Sequence, residues 1–385
     1  MRLKKYEATI SEKSFIGGRI KMTLKYEIPQ KAKACVLTEP GKFEIRDDVA
    51  VKMPGEHEVL CKIRAVAICG SDPEIIRGDL AGRWPPAYPF VAGHEWAGEI
   101  VAVGEGVLDF KVGDRVAGEA HKGCGYCDNC KKGRYTICLN YGKTATGHEH
   151  YGFIVNGAYG QYQKYSIKSI SHIPDNVSFA EASMCDTSGV ALHGLELSGI
   201  TKGGTVAVIG PGPIGLCAMR LAKAMGAAKV LVIGRGSRLE AAAKYGADEC
   251  IDFTKEDPVE AVRRLTGGLG VDEALECSGA KGTFNQAVRM VRKGGSVVLL
   301  GVATDDVVEE LPFKYITHNE IAIYGSRANP NVSQKVLNLM SSGQLKVKDL
   351  ITHKFSLDQF AQALDTFVNR KENAVKVVIL PNGDE

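Results

Sequence analysis

No apolar run in the chain approaches the ~18 residues that a membrane-spanning helix needs, and the start, MRLKKYEATISEKSF, lacks the apolar core of a signal peptide. The charge is close to balanced. Forty-eight basic residues stand against forty-five acidic ones, a net of +3, which leaves no electrostatic footprint for nucleic acid or for an anionic membrane surface. Repeats and low-complexity linkers are also missing. These absences exclude membrane, fibrous and nucleic-acid-binding classes. The expectation is a cytoplasmic protein whose partners are small molecules.

A length of 385 residues, with 44% hydrophobic and 24% charged, suits a soluble protein of more than one domain. From about Lys31 to Pro174 the chain is turn-rich and strand-like, with runs such as EVLCKIRAVAI and GEIVAVGEGV punctuated by Gly and Pro. From about Ser178 to Ser326 apolar strands alternate with helices. The strands are expected at Thr205–Gly210, Lys229–Gly234, Glu249–Phe253, Asp272–Cys277, Ser296–Gly301 and Glu320–Gly325. Such alternation indicates βαβ units and a parallel sheet, an α/β protein. The last sixty residues return to mixed structure and end in the strand-like Ala374–Leu380, while the first thirty read as a polar extension.

Cysteine is abundant instead. Of eleven, four crowd into Cys124-Gly-Tyr-Cys127-Asp-Asn-Cys130-(seven residues)-Cys138. In a reducing compartment this clustering points to metal before disulfides. Two-residue gaps let neighbouring thiolates converge on one tetrahedral ion, and the longer gap closes the shell, so the expected zinc is structural. Free thiols or disulfides are the alternative.

A second motif follows the strand TVAVI: Gly210-Pro-Gly212-Pro213-Ile214-Gly215 opens a helix. In that strand–turn–helix setting the glycines permit a tight turn, and the helix N-terminus can receive a pyrophosphate. An NAD site usually places a carboxylate ~20 residues on, at the end of the second strand. Here Gly234, Arg235, Gly236, Ser237 and Arg238 occupy that place. Two arginines without a carboxylate favour the 2′-phosphate of NADP over NAD. Dual specificity, with both arginines merely solvating the loop, is the alternative. Ser278 and Gly301, at the ends of later strands, complete the expected cofactor contacts.

Upstream lie Cys69-Gly70-Ser71-Asp72 and Gly93-His94-Glu95. In the order CGSD, GHE, four-cysteine loop and Rossmann glycines, the chain from about Lys33 to the end resembles the zinc-containing medium-chain dehydrogenase/reductase family, with sorbitol-type polyol dehydrogenases nearest in character. The resemblance implies a GroES-like, mainly β catalytic domain over 1–186, a Rossmann domain over 187–326, and a C-terminal return to the catalytic domain over 327–385. It also implies a catalytic zinc held by Cys69 and His94, with Glu95 as a neighbouring ligand. Aligning VALHG with the helix of sorbitol-type enzymes makes Asp186 the favoured third ligand, with Cys185 its rival. Ser71 would hydrogen-bond the substrate oxygen, and Asp72 would orient His94. Many relatives carry a histidine three residues after this serine; the chain has Glu74, so the proton relay is left open between Glu74, water and neither. His148 and His150 look like ligands by type but fall in a joining loop, and His121 either lines a cleft or faces solvent. The implied activity is hydride transfer between a secondary alcohol or polyol and NAD(P), with two zincs per chain, in a homo-oligomer, tetramer or dimer. An L-threonine-type or sugar-phosphate dehydrogenase and, more remotely, a non-catalytic zinc and nucleotide binder are the alternatives.

Overall fold

The computed structural model describes residues 10–16, 19–24 and 27–383, with side chains from residue 27. Much of the N-terminal extension thus lies outside the described residues. Within it, Ile10–Ile16 pairs antiparallel with Arg19–Leu24. The chain divides into two compact units, Met1–Asp186 with Ile351–Glu385, and Thr187–Leu350. Among the described residues no helix is long and apolar enough to cross a membrane.

The first unit is built on a seven-stranded sheet. Along it run Ile170–His172, Arg115–Gly118, Glu95–Val103, Glu58–Ala67, Lys376–Leu380 and Ile351–Ser356, and Tyr162–Ser166 also pairs with Glu58–Ala67. Glu58–Ala67 and Glu95–Val103 are buried along most of their length, and their sequences are mostly apolar, with Lys62, Arg64 and Glu99 at half-buried positions. Trp96 stacks on Tyr165 with ring centroids 3.9 Å apart at the centre of this core. The C-terminal strand enters antiparallel to Glu58–Ala67, with Val378 opposite Ala67.

The second unit is a six-stranded parallel sheet. Its order is Glu249–Asp252, Lys229–Gly234, Thr205–Ile209, Val271–Glu276, Val291–Leu299, Ala322–Gly325. Numbered by sequence within the sheet this is 3-2-1-4-5-6, the doubly wound order whose reversal of direction falls beside the first strand. The helices begin with readable signals. Pro258–Leu265, for example, starts on Asp257, whose carboxylate accepts from the N–H groups of Val259 and Glu260.

One expected boundary moves. Residues 327–350, expected in the C-terminal return, group with the second unit instead. The helix Ser333–Ser341 buries Val336, Leu337 and Met340, and Lys335 pairs with Glu196 at 2.8 Å. Asp349 holds both terminal nitrogens of Arg220 at 2.6 Å. These anchors keep the segment with the second unit until Ile351 joins the sheet of the first.

Candidate metal centres and dinucleotide turn

The four-cysteine loop folds on itself through the short helix Asp128–Lys131 and the turn Tyr135–Ile137. Its four sulfurs all lie within 4.8 Å of one another. Cys124 to Cys130 is 3.9 Å and Cys127 to Cys138 is 3.8 Å. A tetrahedron with ~2.3 Å zinc–sulfur bonds has sulfur–sulfur edges of about 3.8 Å, so the thiols are spaced for zinc and too far apart for disulfides. Asn140 donates from its backbone N–H to Cys138 Sγ and from its amide to Cys124 Sγ, each at 3.4 Å. Such donors stabilise thiolates. The spacing of the thiols and the donors around them fit a closed, structural metal.

The second cluster forms where two chain segments meet. Cys69 lies just past Glu58–Ala67, His94 just before Glu95–Val103, and Glu95 opens that strand. Their ligand atoms lie within 4.8 Å of one another. Asp72 is fully buried and its Oδ1 faces His94 Nδ1 at 3.6 Å. Neither atom has a hydrogen-bond partner elsewhere, so the imidazole turns its other nitrogen to the cluster. Burial works against a protonated His94, yet the charges of Cys69 and Asp72 hold the ring well above the usual imidazole range. The field at this point favours a cation. Ser71 Oγ is buried without a partner, as expected of a hydroxyl that awaits a ligand oxygen. These residues fit a metal with an open position.

Asp186 is buried near this cluster without belonging to its tight core. Burial lifts its carboxyl to about 6; His94 opposes the rise and Glu95 adds to it. Ala120 N–H approaches its Oδ1 at 3.4 Å. Cys185 is buried beside it in the chain and stands in neither cluster. Glu74 is half-buried in the first turn of the helix Asp72–Arg77 and is likewise outside both. His121, His148 and His150 are all buried. His150 stacks on Phe153 at 3.9 Å, its Nδ1 is 2.6 Å from the Tyr141 hydroxyl, and His121 lies 3.9 Å from it. Phe153 in turn lies 4.6 Å from the His94 ring.

Three residues here were not singled out from the sequence. Lys376 is buried in the C-terminal strand and ion-pairs with the equally buried Glu95. Tyr159 donates its hydroxyl to Asp72 Oδ2 at 2.7 Å. Glu119, also buried, accepts from the Tyr135 hydroxyl of the cysteine loop at 2.8 Å. A lysine within AVKVVIL breaks an apolar strand, and that irregularity was the one available clue.

In the second unit Gly210 ends the first strand with φ +95°, and a Cβ there would sit 2.9 Å from that of Ser278. Gly212 precedes the helix Pro213–Ala224, with Pro213 in its first turn. A Cβ on Gly215 would fall 2.1 Å from the Gly210 carbonyl oxygen, so only glycine lets helix and strand approach this closely. Ile214 lies half-buried in the same turn. Arg235 is exposed, with its guanidinium 5.6 Å from the Phe253 ring centre, and Gly236–Lys244 begins a helix carrying Ser237 and Arg238. The Arg238 guanidinium comes 3.7 Å from where a Gly212 Cβ would stand, which sets it beside the phosphate-type turn. Glu276, another residue the sequence reading missed, accepts from Ser278 N–H and Oγ at 2.8 and 2.5 Å and from Thr283 Oγ1 at 3.0 Å. It shapes the turn that carries Ser278. Gly301 packs against it, with a Cβ there only 2.6 Å from Glu276 Oε2.

Comparison with known proteins agrees with this geometry. Residues 55–175 match the family described as Alcohol dehydrogenase GroES-like domain, and residues 213–342 the one described as Zinc-binding dehydrogenase. The chain belongs to the zinc-dependent medium-chain dehydrogenase/reductase family and is an oxidoreductase of its alcohol and polyol dehydrogenase type. It is 36% identical to the sorbitol dehydrogenase of Bacillus subtilis (strain 168), covering 93% of this chain and 99% of that one. It is 35% identical to the L-threonine 3-dehydrogenase of Bacillus licheniformis, over 89% of this chain and 96% of the relative. Among solved structures, a zinc-binding dehydrogenase from Sinorhizobium meliloti 1021 bound to NADP superposes with a TM-score of 0.83 at 31% identity, covering 92% of this chain and all of that one.

Proposed function

We propose that the protein transfers hydride between a secondary alcohol or polyol and NADP, with a catalytic zinc at Cys69, His94 and Glu95, joined by Asp186, and a structural zinc at Cys124, Cys127, Cys130 and Cys138. The observation that carries this reading is the convergence of Cys69, His94 and Glu95 beside the buried, unpartnered Ser71 hydroxyl. When bound, zinc supplies Lewis acidity toward a substrate oxygen and the nicotinamide exchanges the hydride. The chain's own residues do the rest. Cys69 and His94 fix the metal, Asp72 sets the tautomer of His94, and Ser71 Oγ takes the substrate hydroxyl proton. Lys376 holds the buried Glu95 in place through its ion pair. Glu74, in the place where many relatives carry a histidine, and water are the candidate ends of the relay that starts at Ser71.

NADP is preferred because the end of the second strand offers Arg235 and Arg238 and no carboxylate. Charge-assisted bonds of this kind contribute roughly 1.5–3 kcal/mol each, enough for a tenfold or larger preference. The protein works as a cytoplasmic homo-oligomer on small molecules, without nucleic acid or membrane. A relative named for L-threonine at almost the same identity as the one named for sorbitol makes amino alcohols the second substrate class.

The test is a screen of alcohols, polyols and amino alcohols with NAD and NADP, read by reduced cofactor, with zinc content measured alongside. Two zincs per chain and NADP-linked oxidation of a polyol are expected. Cys69→Ser removes a contribution of several kcal/mol, so turnover falls on the order of 10³-fold or more, while nucleotide binding and the four-cysteine zinc persist. Near-normal turnover in that variant would discard the assignment.

A further inference from the structure

We infer that Tyr159 is a positioning residue for the open metal site: its hydroxyl clamps the Asp72 carboxylate, which in turn sets the ring of His94. The inference rests on the catalytic reading above and goes past it to a residue that touches neither metal nor substrate.

The side chain of Tyr159 is buried on every side. Its ring lies against Gly93, where a Cβ would fall 2.8 Å from Tyr159 Cγ, and meets Phe360 edge-on at 4.9 Å. Its backbone is fixed as well: Tyr159 N–H donates to Ala92 O at 3.0 Å and its carbonyl accepts from Cys35 N–H at 2.8 Å. The hydroxyl therefore projects from a rigid mount. It reaches Asp72 Oδ2 at 2.7 Å, and Cys69 N–H reaches the same oxygen at 2.8 Å.

The terminal torsion of an aspartate is soft. With Cys69 N–H as sole donor the carboxylate could rotate about that bond and turn Oδ1 away from His94. A second donor on Oδ2 from another direction removes this freedom. Oδ1 is then left aimed at His94 Nδ1, 3.6 Å away, and neither atom has a competing partner. The O–H to carboxylate bond is charge-assisted and short, among the stronger hydrogen bonds available. Phenylalanine at 159 would keep the ring between Gly93 and Phe360 and lose only the clamp.

The measurement uses the full-length, zinc-loaded protein and its Tyr159→Phe variant. Zinc release to a chromogenic chelator is followed as two phases, one for each site. Outer partners of metal-bound histidine typically change affinity or activity by 10- to 100-fold. The open-site phase should therefore be about tenfold or more faster in the variant, the four-cysteine phase unchanged, and kcat lower with the cofactor KM unaltered. Cobalt placed in the open site should show shifted visible bands in the variant. In an Asp72→Asn background the same substitution should add little, because the clamp then has no carboxylate to hold. Equal release rates in wild type and variant overturn the inference. Faster release from both sites together with a lower melting temperature also overturns it, since that is the signature of ring packing alone. A wild type holding a single zinc defeats the catalytic reading itself, a result that release from the variant cannot mimic.

Discussion

A carboxyl group with almost no access to water and one protein donor has little reason to ionise. Glu119 is in that position. Burial pushes its carboxyl from 4.5 up to about 8, with Asp186 adding to the rise and the Tyr135 hydroxyl opposing it. The folded protein thus keeps a proton that the unfolded chain gives up near pH 4.5. Between those two values the folded state binds more protons, so stability falls as pH rises and levels off above pH 8. At about 1.4 kcal/mol per pKa unit the whole effect amounts to a few kcal/mol at most. Glu119→Gln retains an acceptor for Tyr135 and removes the titration. Melting curves from pH 5 to pH 9 should show wild type losing ground steadily to the variant, with a constant gap above pH 8. Parallel curves across the range would mean that Glu119 is ionised throughout. The residue also shows what a sequence cannot reveal. Cys69, His94 and the four cysteines announce themselves by type and spacing, whereas Glu119, Tyr159 and Lys376 acquire their roles from neighbours brought together only by the fold.

At the scale of elements, the glycine turn separates two uses of one residue type. Gly215 is required by packing, because a methyl group there meets the Gly210 carbonyl at 2.1 Å. Gly212 has nothing nearer than the Arg238 guanidinium, at 3.7 Å, so its lack of a side chain serves whatever approaches from outside. Gly215→Ala should therefore lower both stability, by about 1–3 kcal/mol as overpacking does, and nucleotide affinity. Gly212→Ala should leave the melting temperature unchanged and still weaken binding about tenfold or more. Thermal melts and a fluorescence titration of reduced cofactor decide it; a destabilised Gly212→Ala protein that binds normally would refute the distinction. The parallel strands around this turn were legible because burial on both faces demands unbroken runs such as TVAVI and KVLVIG. The place where the chain leaves the second unit was not. Val336, Leu337 and Met340 mark a buried face on their helix, but nothing local says which core receives it. Glu196, Arg220 and Tyr245, all remote in sequence, make that choice.

The whole molecule must also protect the two edges of its parallel sheet, since an open edge strand invites another chain. One edge, Glu249–Asp252, is guarded. It carries acidic groups at both ends, engaged by Lys229 and Lys255, and the Arg235 guanidinium covers the neighbouring Phe253. The other edge, Ala322–Gly325, reads AIYG and bears no charge. Along it Ile323 is 36% exposed. An uncharged edge strand that exposes Ile323 argues for a second copy docking there. A symmetric dimer would pair this strand with its counterpart about a two-fold axis, extending the sheet across the interface. Ile323→Lys places a charge on that edge and touches neither zinc cluster. Light scattering should give a multiple of the 41.4 kDa chain mass for wild type and a smaller multiple for the variant, with the metal content of the two equal. If the variant keeps the full mass, this edge is not where the chains meet.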